Sequence, residues 1–231
     1  MKKFILSSLS LIILIATVNT AFSILDMGLG TFSLTEIKAS SYLAEKGKPD
    51  NYYSAAMAFD KKPETAWCRG KDDKEKNTCI EARFKPFYTD SIYILNGYGS
   101  NKSLYYANNR IKEYEVTVTF KDGTTMVKKG KLSDNKCLPA YNADPESNYK
   151  CRWSADPDYE LHPDKLVDFG QGKPKCVTGL KLKIISVYPG KKHNDTCIAE
   201  IAPFFNAGWR YDDDNYIENC RACCDDCCAI E

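Results

Sequence analysis

Tyr114-Glu115-Val116-Thr117-Val118-Thr119-Phe120-Lys121-Asp122-Gly123-Thr124-Thr125-Met126-Val127-Lys128 is the stretch whose reading decides the fold class. From Tyr114 to Phe120 apolar and polar residues alternate, the pattern of a strand with one buried face. Asp122-Gly123 supplies the positive φ that a tight hairpin needs, and Thr125 to Lys128 lead the chain back. Outward from this hairpin the same kind of segment recurs. Residues 80–84 alternate, 91–95 are rich in β-formers, 165–169 form a short run, 179–188 a long one, and 197–205 close the set. Residues 52–59 alone suggest a helical turn. Many short strands separated by turn residues predict an all-β, antiparallel sandwich.

The two ends of the chain differ from this middle. Met1-Lys2-Lys3 precedes an apolar run from Phe4 to about Val18, and Asn19-Thr20-Ala21-Phe22-Ser23 follows. A positive start, an apolar core and small residues before a cut describe a bacterial export signal over residues 1–23, cleaved after Ser23. The run is short for a membrane span and is interrupted by Ser7, Ser8 and Ser10. The first cysteine is Cys68, so a lipid-anchored leader is not expected, and no later segment is apolar enough to span a bilayer. The product is expected to be secreted, periplasmic or on the cell surface. Residues 24–35 read as a lead-in, 36–205 as the sandwich, and 206–231 as an acidic, cysteine-rich tail containing Tyr211-Asp212-Asp213-Asp214-Asn215-Tyr216.

Lys2 and Lys3 account for two of the 32 basic residues, leaving 30 against 31 acidic ones. A near-neutral chain without a basic face argues against nucleic acid as partner. The 11 cysteines all follow the leader, and in an oxidising compartment they read first as disulfides. Cys68, Cys79, Cys137, Cys151, Cys176 and Cys197 lie in the body; Cys220, Cys223, Cys224, Cys227 and Cys228 crowd the tail. Cys137 and Cys151 flank a short irregular loop and are expected to pair. The tail cluster suggests a small disulfide knot, with thiolate zinc binding as the rival. The odd total leaves a thiol free or bridging two chains, so a disulfide-linked dimer is one expectation.

Ala58-Phe59-Asp60-Lys61-Lys62-Pro63-Glu64-Thr65-Ala66-Trp67-Cys68 resembles the opening signature of discoidin-like (coagulation-factor type C, galactose-binding-like) domains. Asn96-Gly97-Tyr98, Tyr106-Ala107-Asn108-Asn109-Arg110-Ile111-Lys112 and Asp195-Thr196-Cys197-Ile198-Ala199-Glu200-Ile201 narrow the match. They resemble the subgroup known as the glycan-binding translocation domain of secreted bacterial NAD glycohydrolases. The resemblance spans about residues 36–205 and implies a jelly-roll sandwich of about eight strands with binding loops at one end. Lys61 stands where the family commonly has glycine, Cys79 is an addition that suggests an extra disulfide, and residues 131–164 are unusually long for the family.

The same resemblance brings Cys68 and Cys197 together as a pair, which leaves Cys79 with Cys176 by elimination. It also marks Asp60, Thr65 and Glu200 as candidates for a structural calcium, since that ion takes carboxylate, hydroxyl and carbonyl oxygens. Met57 and Lys62 carbonyls would complete such a set. The alternative is that Asp60 and Thr65 cap a turn and Glu200 pairs locally. For ligand binding the segment from Asn96 to Arg110 stands out. Sugars need an aromatic face for ring C–H groups and planar polar groups for hydroxyls, which Tyr98, Tyr105, Tyr106, Asn108, Asn109 and Arg110 can offer. The competing reading makes Tyr98 core, the two asparagines turn-formers and Arg110 a structural partner.

The two histidines, His162 and His193, lie in polar loops, and no nucleophile elbow, zinc-protease helix or P-loop appears. No catalytic residue is assigned. The expected function is an exported, non-catalytic carbohydrate-binding module recognising a cell-surface or matrix glycan or glycoprotein. The alternative is a protein-interaction or adhesion module using the tail or the 131–164 insertion. Tyr105→Ala or Arg110→Ala is expected to weaken glycan binding without unfolding the chain.

Overall fold

The computed structural model describes residues 32–70, 78–134, 163–170, 174–204 and Cys223. The leader, Cys137, Cys151 and the tail other than Cys223 lie outside the described residues. Among those described, nine strands form: β1 (Leu34–Ala39), β2 (Trp67–Cys68), β3 (Cys79–Thr89), β4 (Ser91–Asn96), β5 (Arg110–Phe120), β6 (Thr125–Lys131), β7 (Asp164–Asp168), β8 (Lys175–Tyr188) and β9 (Cys197–Phe204). A short 3-10 helix covers Ala55–Ala58, and one short helix, α1, covers Lys102–Ala107. No described helix is long and apolar enough to cross a membrane.

The strands make two antiparallel sheets, ordered β1-β3-β8-β5-β6 and β2-β9-β4-β7. Alternation explains the packing. Tyr114, Val116 and Val118 of β5 point inward, while Glu115, Thr117 and Thr119 do not. Leu180, Leu182 and Ile184 of β8 do the same. They meet Ile92 and Ile94 of β4, Leu166 and Val167 of β7, and Ile198 and Ile201 of β9 in one core. The Tyr114 hydroxyl crosses between sheets and donates to the Leu166 carbonyl at 2.7 Å, so this buried phenol keeps a partner.

The expected hairpin of β5 and β6 forms, but not on a two-residue Asp122-Gly123 turn: Thr119 stands opposite Thr125, the Gly123 amide donates to the Phe120 carbonyl at 3.0 Å, and Gly123 alone of the turn takes a positive φ, +83°. Strand β1 begins before the domain boundary expected at residue 36, and Phe32 stacks on Phe84 with centroids 4.2 Å apart. Helix α1 was not expected. Asn101 caps it by accepting from the Leu104 amide, and one turn is too short to leave a periodic trace in the sequence.

Cys68 and Cys197 face each other across β2 and β9 and are bonded, closing a separation of 129 residues. In the chain-entropy account such a loop is worth roughly 4–5 kcal/mol. The other expected bridge is corrected: Cys176 bonds Cys223 of the tail, and Cys79 is a free thiol. Cys79 stands opposite Lys183 near one end of β3, whereas Cys176 stands opposite Tyr88 near the other, so the two thiols sit at opposite ends of the same strand pair. Lys121 Nζ also donates to the Cys223 carbonyl at 2.9 Å. The tail is thus fastened where β5 ends and β8 begins.

Candidate functional site

The strand order carries one set of connections to a single end of the sandwich. β1, β4 and β8 finish there, and β3, β5 and β9 start there. Segments 40–54, 97–109 and 189–196 therefore gather around the Cys68–Cys197 bridge. Backbone bonds lock them to one another. The Leu43 amide donates to the Cys68 carbonyl at 2.8 Å, Arg69 to Thr196 at 2.9 Å, Gly97 to Cys197 at 3.0 Å and Asn109 to Asp195 at 2.9 Å. A second small core of Tyr53, Ala66, Cys68, Tyr98 and Cys197 lies beneath them.

The segment that sequence reasoning singled out supplies the scaffold of this pole. Asn96 joins the end of β4 to the start of β5: its side-chain amide donates to the Ile111 carbonyl at 2.7 Å and its oxygen accepts from the Ile111 amide at 2.8 Å. Gly97 has φ +94°, and a Cβ there would lie 2.9 Å from both Arg110 and the Tyr105 ring. Tyr98 belongs to the small core, and burial first, then the neighbouring Tyr52 phenol, pushes its hydroxyl up to about 12. Tyr105 is 1% exposed. Asn108 donates back to the Leu104 carbonyl at 2.8 Å, and Asn109 donates to Asn194 while accepting from the Gly190 amide at 2.6 Å. Arg110 is buried. Its Nε pairs with Asp134 at 2.8 Å, and one terminal nitrogen donates to the Tyr105 and Asn108 carbonyls. Of the six candidates only Tyr106 reaches the surface in part. The expectation that Tyr105→Ala or Arg110→Ala spares the fold is therefore corrected. Both side chains are consumed by packing and by satisfying backbone carbonyls.

The exposed aromatic surface comes from segment 41–54, which the sequence reading had passed over. Tyr42 and Tyr52 are 47% and 37% exposed. Tyr52 meets Tyr53 edge-on at 4.8 Å, and Tyr53 meets Tyr98 edge-on at 6.1 Å. The Tyr53 hydroxyl donates to Glu45 at 2.7 Å; burial, then that bond, makes the phenol a weaker acid than usual. Lys48 Nζ sits 4.4 Å above the Tyr52 ring. The loop is held from below by the Trp67 indole, which donates to the Ser41 carbonyl at 2.9 Å. A half-exposed, pre-positioned tyrosine beside charged groups is suited to stacking on a sugar face at low entropic cost. The available signal was compositional: Gly47, Pro49, Asp50 and Asn51 mark a built loop, and aromatics in a loop are better binding candidates than aromatics beside a strand.

Asp60, Thr65 and Glu200 come together next to this pole, where the Pro63 carbonyl and Ala199 pack against Gly99. The Lys62 amide donates to Asp60 at 2.9 Å. The Thr65 hydroxyl lies 2.9 Å from both Asp60 oxygens and 2.7 Å from the Lys62 carbonyl, and its single hydrogen serves one acceptor at a time. Glu200 is 3% exposed, and its Oε2 has no hydrogen-bond partner. Burial, then the Asp60 charge, pushes the Glu200 carboxyl well above the usual range, against opposing bonds from the Lys61 and Ile201 amides. Burial likewise raises Asp60. Oxygen acceptors outnumber donors here, which is the donor set of a hard cation. No three of His, Cys, Asp and Glu gather at one point among the described residues, so hydroxyl and carbonyl oxygens would have to complete it.

Residues 30–204 match the family model described as the NAD glycohydrolase translocation F5/8 type C domain. No curated protein sequence matches the chain. Among solved structures, the F5/8 type C domain of a Bacteroides fragilis protein is 13% identical, covering 76% of this chain and 97% of that one with a TM-score of 0.46. A CBM32 domain from a family 31 glycoside hydrolase of Clostridium perfringens is 17% identical, covering 75% and 92% at 0.43. The family 32 carbohydrate-binding module of Streptococcus pneumoniae EndoD is 10% identical, covering 74% and 96% at 0.45.

Proposed function

The chain belongs to the family of NAD glycohydrolase translocation F5/8 type C domains, and from that premise we propose that it is an exported, non-catalytic carbohydrate-binding module whose ligand sits on the loop pole. The observation that carries this reading is the Tyr52 ring, half-exposed on a loop that is bonded to the pole from several sides. Rings fixed before binding lose little freedom when a sugar stacks on them. Glu200, whose carboxyl burial pushes well above the usual range, is a buried residue of β9 and so is placed for holding structure rather than for meeting a substrate.

Asp60, Thr65 and Glu200 would hold a calcium ion, with carbonyl oxygens of their loop. The ion would supply positive charge to two carboxylates that otherwise disfavour each other's ionisation. Its role is to fix the loop from 59 to 65 beneath the binding end.

The test is a glycan array probed with the oxidised chain, residues 24–231, with calcium and with chelator. Binding to one sugar class is expected, lost in Tyr52→Ala at an unchanged melting temperature. A blank array from folded protein overturns the proposal and moves attention to protein partners.

A further inference from the structure

Exposed lysines are spread widely over the described surface, and several away from the loop pole, Lys61, Lys62, Lys85, Lys131, Lys175 and Lys183, have no ion pair among the described residues. On the outer face of the five-stranded sheet Lys38, Lys129 and Lys181 each meet a carboxylate: Glu36, Glu115 and Glu81. At the loop pole Lys46, Lys48, Lys102, Lys191 and Lys192 are exposed, and among the described residues none of them has an ion pair. The exposed acids in the same segments are Glu45 and Asp50, and Glu45 already accepts from Tyr53. Among the described residues of segments 40–54, 97–109 and 189–196, lysines therefore outnumber exposed carboxylates.

Two of these ammonium groups are placed over rings. Lys48 Nζ is 4.4 Å from the Tyr52 centroid, and Lys191 Nζ is 5.5 Å from the Tyr106 centroid, with Arg110 5.7 Å from that same ring. The rings belong to one belt. Tyr52 touches Tyr53, Tyr53 touches Tyr98, Gly97 lies against Tyr105, and Tyr105 meets Tyr106 edge-on at 5.2 Å. Each end of the belt is capped by a cation. Both lysine-bearing loops are also fixed. The Lys48 amide donates to Glu45, and the Lys191, Lys192 and His193 amides donate to Tyr106 and Ala107. Gly190 packs so closely that a Cβ would lie 2.3 Å from the Ala107 carbonyl.

Resting on the carbohydrate-binding reading, we infer that the ligand of the loop pole is an acidic glycan, one carrying carboxylate or sulfate groups. The Tyr52 and Tyr106 rings, the two of the belt that reach solvent, take the C–H faces of the sugars, and Lys48 and Lys191 pair with the anions beside them. A neutral sugar would leave these positioned ammonium groups without a counter-ion.

Four probes of equal length test this by titration calorimetry: an unsulfated uronate-bearing oligosaccharide, a sulfated one, a neutral one, and polyglutamate. At least one acidic sugar is expected to bind about tenfold or more tightly than the neutral one, and to weaken as salt rises. Lys48→Gln and Lys191→Gln are each expected to weaken it about fivefold at unchanged melting temperature. The uronate and sulfate arms identify which anion is read. Equal or tighter binding of the neutral sugar overturns the acidic ligand but keeps the carbohydrate reading. Equal binding of polyglutamate overturns it as mere charge attraction. Failure of all three sugars overturns both.

Discussion

In segment 96–110, Tyr98 and Tyr105 are buried, and the polar groups of Asn96, Asn108 and Arg110 are spent on backbone atoms and, for Arg110, also on the Asp134 carboxylate. In segment 41–54, a few ångströms of packing away, Tyr42 and Tyr52 face solvent, and Lys48 lies over a ring. The two segments share a residue vocabulary of tyrosine, asparagine and a cation, yet one builds the pole and the other furnishes its surface. A motif rich in tyrosine and amide residues marks a precise backbone path first. Whether those side chains reach a ligand depends on what packs on top of them.

The sharpest way to break this comparison is to truncate one tyrosine from each segment. Tyr105→Ala removes a fully buried ring against which Gly97 and Arg110 pack, and should destabilise the domain by about 3–5 kcal/mol, as other buried aromatic deletions do. Tyr52→Ala should change stability by under about 1 kcal/mol. Urea unfolding of both variants reads the difference. Similar costs would mean that the two segments are not separated into scaffold and surface.

How much of this could be read in the chain differs by level. The alternation of Tyr114 to Phe120 and the Asp122-Gly123 turn made the hairpin and the sandwich legible, because strand period and turn chemistry are local properties. Strand β2, two residues long, and α1, six residues long, are held by tertiary bonds and leave no period to detect. The Cys68–Cys197 bridge follows from the likeness of its flanking motifs to a known family. Cys176–Cys223 does not, since nothing local says which thiol the tail brings near β8. The Asp60, Thr65 and Glu200 grouping was legible as a motif, but the orphaned Glu200 oxygen was not, because burial is a property of the assembled sheets.

A second test concerns that orphan. Glu200→Gln removes a buried charge that Asp60 opposes while keeping the shape of the side chain. In chelator the variant should be as stable as the parent or more so by about 1–2 kcal/mol, the cost of an ill-compensated buried charge. Added calcium should raise the melting temperature of the parent and leave the variant unmoved. A calcium-indifferent parent would remove the proposed ion. A variant strongly destabilised in chelator would show that the carboxylate is held by its amide donors alone.

The smallest expected effect lies at Lys61, the departure from the family signature. The residue sits at φ +66°, a conformation in which a Cβ crowds the neighbouring carbonyl by about 1–2 kcal/mol. Glycine would relieve that crowding but release more chain entropy on unfolding, worth about 0.5–1 kcal/mol. Lys61→Gly should therefore stabilise the domain by only about 0.5–1 kcal/mol, while Lys61→Ala, which keeps a Cβ, should not. The Lys61 amide that donates to Glu200 survives in both variants, so a gain confined to glycine isolates backbone geometry from charge. If alanine gains as much as glycine, the lysine ammonium and not the dihedral is what strains the loop. The signature would then encode electrostatics at this position, unlike the geometric role of Gly97 at the pole.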